Sequence, residues 1–237
     1  MSYSAEKYAK KKASYYVKFS FTVTYILLLT TATITIIEAI RTQDPVVRNV
    51  LNLETCISIV AGYFYSVFMQ QIDEHETTED HDHKYNWEKI SQMRYVDWSI
   101  TTPMMLLTLC IVLGYNIKKP VPIGIFLLIV ALNYLMLYIG YLGETQEIDR
   151  FSASFLGFIP FFAMFYLIFS QFVLPKYRLD NYILYSIYLV VWSLYGVVYL
   201  LQEEAKNIAM NILDLIAKCF IGLGLWAYYV KIFSTTL

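Results

Sequence analysis

A chain of 237 residues that is 58% hydrophobic and only 16% charged, with a mean hydropathy of +0.49, is too apolar for a soluble domain of ordinary composition. Its formal net charge of −1 and the lack of any basic run argue against a nucleic-acid partner. The three cysteines, Cys56, Cys110 and Cys219, fall inside apolar runs, which argues against a disulfide framework and for small core side chains.

In chain order, apolar segments occupy residues 17–40, 48–72, 88–114, 120–143, 150–173, 179–202 and 207–232. Each is near the ~20 residues a membrane-crossing helix needs. The expected fold is therefore an all-α membrane protein, a seven-transmembrane-helix bundle forming one domain over residues 1–237, with the lipid bilayer as its surroundings. The first apolar run is longer than the h-region of a cleaved signal peptide, and no small-residue cleavage pattern follows it. Connections are short apart from residues 73–87, and no tandem repeat or fused output domain is seen.

Loop charges set an expected orientation. Arg41, Arg48, Lys118, Lys119, Lys176 and Arg178 follow the first, third and fifth segments, whereas Asp73, Glu74, Glu147 and Glu203 follow the second, fourth and sixth. The positive-inside rule puts the basic set in the cytoplasm. The amino terminus is then outside and the carboxy terminus cytoplasmic, against the pull of Lys7, Lys10, Lys11 and Lys12.

The last segment, "NILDLIAKCFIGLGLWAYYV", carries Asp214 and Lys218 at mid-span. A charge at membrane depth costs at least ~2.5–3.5 kcal/mol, so such residues are rare and usually functional. Four residues apart, the two share a helix face, which must turn inward. Lys218 is then a neutral amine, an ion-paired ammonium, or a lysine that forms a Schiff base with a carbonyl compound; a structural ion pair is the plainest alternative. The third segment reads "RYVDWSITTPMMLLTL". Asp97, Thr101 and Thr108 share one face along ~16 Å of helix, placing a second carboxylate at membrane depth. Pro103 is tolerable there because the Ser99 and Thr102 hydroxyls and neighbouring helices are available to the freed backbone groups. In the sixth segment Trp192, Tyr195 and Tyr199 form an aromatic stripe, a pattern more common in plain cores than in cofactor sites.

Together these residues resemble the microbial (type 1) rhodopsins. "RYVDWSITTP" is similar to that family's R-Y-x-D-W-x-x-T-T-P signature, and "LDLIAK" to its D-x-x-x-K retinal-attachment helix; "NLETCISIVAGYFYS" is most similar to the rhodopsins of giant viruses of algae and protists. The resemblance implies all-trans retinal, covalently bound to Lys218 as a protonated Schiff base. Asp97 and Asp214 would be its counterions, Asp97 the proton acceptor, and Arg94 would lie on their extracellular side. Trp98, Trp192, Tyr195 and Tyr199 would wall the polyene, Thr102, Met105, Met136 and Gly140 would complete the slot, and Tyr65 would hydrogen-bond a counterion. Met105 stands where glutamine favours blue absorption and leucine or methionine green, so green absorption is expected.

The transported species is a separate question. In the family's proton pumps a carboxyl commonly occupies the position of Thr108, whose hydroxyl cannot return a proton. The extracellular release groups would be Glu203 or Glu204, which read more readily as a solvated loop. Glu54, about two turns from the cytoplasmic end of the second segment, and Glu38, near the same end of the first, suit a cation path; a helix-end acid reaching to water is the plainer reading of Glu54. Asn52, Asn133, Asn211 and Ser66 add polarity that favours internal water. Thr102 and Asn133 replace the Cys–Asp pair of algal channelrhodopsins. The expected function is light-driven movement of cations, protons and also sodium or potassium ions, ranked as a light-gated channel first, an outward proton pump second and a photosensor acting through a partner third, with no enzymatic turnover. A homo-oligomer is compatible with the sequence. The loop "DEHETTEDHDHKYN", with His75, His81 and His83, matches no closed zinc motif, and no metal is expected there.

Overall fold

The computed structural model describes residues 3–77 and 85–229, with side chains at 15–73 and 85–229. The histidine-rich loop considered as a metal site lies outside the described side chains. Seven helices result: α1 (Tyr3–Arg41), α2 (Pro45–Thr77), α3 (Trp87–Ile117), α4 (Ile123–Glu144), α5 (Arg150–Val173), α6 (Leu179–Val198) and α7 (Glu203–Tyr229). Each packs on the next, and α1 also packs on α7, closing the ring. All seven are long and apolar enough to span a bilayer.

Local sequence explains the ends. Before α2, Asp44 Oδ1 accepts from the Val46 and Val47 amides at 2.8 and 3.2 Å, while Oδ2 takes the Tyr115 hydroxyl at 2.7 Å. The Tyr115 bond, followed by those amides, holds the Asp44 carboxyl below its ordinary range. Asn86 caps α3 by accepting from the Lys89 amide, and Asp149 caps α5 through the Ser152 amide. Helix α3 stops at Lys118, whose φ of 59° is left-handed, with the Lys119 amide bonded back to the Gly114 carbonyl.

Lipid tails are as apolar as leucine, so helix association in a bilayer relies on close packing and interior hydrogen bonds. The outer surface accordingly carries Ile37, Leu127, Phe155, Ile159 and Tyr166, all exposed, while Thr31, Thr35, Glu54, Asp97, Thr108, Asn133, Asn211 and Lys218 are buried. Pro103 illustrates the accounting. The carbonyl it frees, that of Ser99, accepts the Tyr134 hydroxyl of α4 at 3.1 Å, whereas the Ser99 and Thr102 hydroxyls bond to Val96 and Trp98 carbonyls.

Three expectations change. Helix α7 begins at Glu203, so Glu203 and Glu204 stand in its first turn and not in a loop. Asn52 points outward and Ser66 bonds to the Tyr63 carbonyl of its own helix, so neither contributes to internal polarity. Two helices also contain π-helical turns that periodicity does not reveal, at Phe169–Val173 and Leu215–Phe220.

Candidate functional site

Lys218 sits in the π-helical turn of α7, where the Ile221 amide reaches back five residues to the Ile216 carbonyl. Such turns are often found at functional sites. Lys218 is 1% exposed. Its Nζ donates to Asp97 Oδ2 at 2.7 Å and lies 3.6 Å from Asp214 Oδ2.

The two carboxylates are unequally provided for. Asp214 accepts the Tyr195 hydroxyl on Oδ1 at 2.7 Å and the Tyr65 hydroxyl on Oδ2 at 2.8 Å, with Arg94 Nη1 at 3.4 Å. Among the described residues the Asp97 carboxylate accepts only from Lys218, and its Oδ1 has no hydrogen-bond partner. Thr101, on the same face of α3, gives its hydroxyl to the Asp97 backbone carbonyl at 2.9 Å and not to the carboxylate. A buried carboxylate gains most from several donors, so Asp214 is the better stabilised anion and Asp97 the one with an oxygen to spare.

Arg94 is fixed on the side of α3 nearer its amino terminus. Nη2 donates to Asn211 Oδ1 at 2.9 Å and Asn207 Oδ1 at 3.2 Å, and the guanidinium lies 5.3–5.8 Å from the centroids of the Phe21, Tyr65 and Phe68 rings. Asn211 passes the network to α1, its Nδ2 donating to Ser20 at 2.9 Å. Asn211 is thus committed to holding Arg94, and Asn207 is a partner that the sequence did not single out.

A cavity reaches Lys218 and Asp214 in the middle of the bundle, the kind of concave, mostly apolar site that holds small molecules between helices. Trp98, Thr102, Met105, Met136, Gly140, Trp192, Tyr195 and Tyr199 all line it, together with Gly157, Phe158 and Phe161 of α5. The Tyr199 hydroxyl donates to the Gly140 carbonyl at 2.9 Å. A β-carbon at 140 would lie 2.5 Å from the Tyr95 hydroxyl, so glycine lets α3 and α4 approach at the wall. Asn133 supports this wall from behind: its Nδ2 donates to Thr102 Oγ1 at 2.8 Å, tying α4 to α3. A mostly apolar slot with a lysine in its lining suits a covalently held polyene aldehyde.

Beyond Lys218, toward the end bearing Arg41 and Arg48, Glu54 is 2% exposed. Its carboxyl faces Thr108 and lies against Gly222, where a β-carbon would come within 2.7 Å of Oε2. Glu38, by contrast, sits near the surface and receives Arg41 Nη1 at 3.2 Å. At the opposite end, Lys206, also 2% exposed, donates to both Glu144 oxygens at 2.9 Å and to Glu203, and Arg150 bonds Glu144 and Glu203. Sequence reading missed Lys206, Glu144 and Arg150. The three-residue spacing of Glu203 and Lys206 was the available signal, but their partners come from α4 and α5. A small cavity lined by Arg94, Tyr95, Glu144, Lys206 and Asn207 separates this cluster from the Arg94 network. The described residues hold no cluster of metal-ligating side chains.

The model of the bacteriorhodopsin-like protein family matches residues 16–232. The crystal structure of viral rhodopsin OLPVRII is similar at a TM-score of 0.82 and 42% identity, covering 91% of this chain and 98% of that one. The blue light-absorbing proteorhodopsin from Med12 (TM-score 0.73, 23% identity, 93% and 100% covered) and the proton-pumping rhodopsin AR2 from the marine alga Acetabularia acetabulum (0.72, 18%, 93% and 97%) share the fold. No curated protein matches significantly. The chain therefore belongs to the bacteriorhodopsin-like family: it is a microbial rhodopsin, an integral multi-pass membrane protein whose chromophore is covalently bound retinal.

Proposed function

We propose that the protein is an outward light-driven proton pump in which Lys218 holds retinal, Asp97 accepts the proton and Glu54 replaces it. The observation that carries this reading is the pairing of an under-coordinated Asp97 on one side of Lys218 with a sealed carboxyl, Glu54, on the other. When bound, retinal supplies light absorption and an isomerisation that changes the direction and acidity of the N–H at Lys218.

The chain's own groups then act in order. The N–H bond at Lys218 breaks and an O–H bond forms on Asp97, 2.7 Å away. Asp214 remains the anion, because Tyr65, Tyr195 and Arg94 already satisfy it. Among the described residues Glu54 has no cation partner at membrane depth, where isolated charge is expensive, so it rests as the neutral acid. Its O–H breaks as the N–H at Lys218 re-forms, and a cytoplasmic proton replaces it. Relative to a pump with a carboxyl on α3, donor and hydroxyl are exchanged: Glu54 stands on α2 and faces Thr108. The Glu144–Lys206–Glu203–Arg150 cluster closes the outer end. Its carboxylates already hold cations, which supports a closure role over early proton release.

The orientation follows the basic loops, with the amino terminus outside. Arg150 and Lys206 do not oppose it, since each is paired with local acids. The whole chain acts as one domain. Light-gated cation conduction ranks second, favoured by Glu54 having no cation partner among the described residues, which leaves that carboxyl free to bind one. Voltage-clamped photocurrent decides between them. A pump gives outward current without reversal; a current that reverses with the sodium or potassium gradient would sink the pump and make Glu54 a channel residue.

A further inference from the structure

Two buried donors lie between Glu54 and the cytoplasmic end, and neither has a hydrogen-bond partner among the described residues: Trp226 Nε1 and the Tyr229 hydroxyl. Buried polar groups nearly always find a partner, and where protein supplies none it is usually an ordered water. Their positions form a sequence. Trp226 is one turn beyond Gly222, against which Glu54 rests. Trp226 and Tyr229 both pack against the cluster formed by Ala39, Val47 and Leu51, and Leu51 is one turn from Glu54 on α2. The Tyr229 ring lies 6.3 Å from that of Tyr115, and Tyr115 donates to Asp44 at 2.7 Å. Asp44 is half-buried at the mouth of this seam. Hydroxyls on the α1 side continue the polarity inward, with Thr35 and Thr55 bonded to each other at 2.8 Å and Ser58 Oγ buried without a partner.

We propose that protons reach Glu54 along this α2–α7 seam, collected at Asp44 and passed by waters held on the Tyr229 hydroxyl and the Trp226 indole N–H. The proposal rests on Glu54 being the internal donor. Each proton taken up at Asp44 comes from bulk water and forms the O–H that Glu54 loses, so charge balances over a cycle. Tyr229 and Trp226 are positioning residues: they hold the relay and need not ionise. The Asp44 carboxylate, kept anionic by its Tyr115 and amide bonds, is suited to attract protons and hand them on.

The test uses the full-length, retinal-bound protein in lipid nanodiscs, in the dark. After transfer to D₂O, infrared spectroscopy follows the carboxyl C=O band that disappears in Glu54→Gln. Tyr229→Phe and Trp226→Phe each keep an aromatic ring, and the visible band reports folding. Each should slow exchange at Glu54 by about five- to tenfold, the rate equivalent of one hydrogen bond removed from the relay. Asp44→Asn should slow light-induced proton uptake seen by a soluble pH dye, with the Glu54 band position unchanged. Wild-type exchange rates in both phenylalanine variants would overturn the route while leaving Glu54 as donor. If no carboxyl band is lost in Glu54→Gln, the donor assignment itself falls and the route with it.

Discussion

Gly222→Ala tests whether the position of Glu54 matters, without touching any ionisable group. In an exposed helix interior the change stabilises by about 1 kcal/mol. Here the new β-carbon would stand 2.7 Å from Glu54 Oε2, 3.3 Å from Thr31 Cγ2 and 3.6 Å from Glu54 Cδ. Separations under 3.0 Å are not sustained, so the carboxyl must swing away while Thr31 blocks one direction. Overpacking of a close-packed interior costs about 1–3 kcal/mol. The two effects leave a net loss of about 0–2 kcal/mol, small enough for the pigment to form. Displacing Glu54 by ~1 Å from a productive geometry can slow a transfer about 100-fold. Flash photometry on the reconstituted protein should therefore show slower return of the dark absorbance, restored by azide, a small diffusible acid that substitutes for an internal donor. Unchanged recovery in Gly222→Ala, with slow recovery in Glu54→Gln, would show that Gly222 does not position the carboxyl. Unchanged recovery in both would remove Glu54 from the mechanism.

Three further substitutions address the remaining assignments. Lys218→Ala should abolish covalent pigment, and a coloured, borohydride-reducible adduct in that variant would place the attachment elsewhere. In Asp97→Asn, removal of the carboxylate 2.7 Å from Lys218 should shift absorption to the red and stop proton transfer; an unshifted spectrum would identify Asp214 as the sole effective counterion. Lys206→Met leaves Glu144, 8% exposed, short of its closest cation. Breaking a buried pair costs about 3–5 kcal/mol, reduced here because Arg150 stays on Glu144. Thermal bleaching should come earlier in this variant and recover in the Lys206→Met, Glu144→Leu double variant; equal melting of wild type and single variant would make the cluster energetically idle.

The residues that share one helix were open to reading along the chain. Hydropathy runs gave the seven spans, because a bilayer of fixed thickness demands helices of fixed apolar length. The inward direction of Asp97, Asp214 and Lys218 followed from the cost of charge in lipid, and the aromatic stripe of Trp192, Tyr195 and Tyr199 from helical spacing. What joined separate helices was not open in the same way. Asp97 and Asp214 are both aspartates in spans, yet only the tertiary structure gives Asp214 three donors and leaves Asp97 an unpartnered oxygen. Glu54 was readable equally as a cation-path carboxyl or a helix-end acid, because its depth could be counted but its neighbours, Thr108 and Gly222, come from α3 and α7. The spacing of Lys206 from Glu203 hinted at a local pair, but nothing along the chain pointed to Glu144, 62 residues away from Lys206. Periodicity encodes which side of a helix faces inward; which groups then meet is set by helix rotation, depth and the π-helical turn at Lys218, and these are decided only when the whole bundle packs.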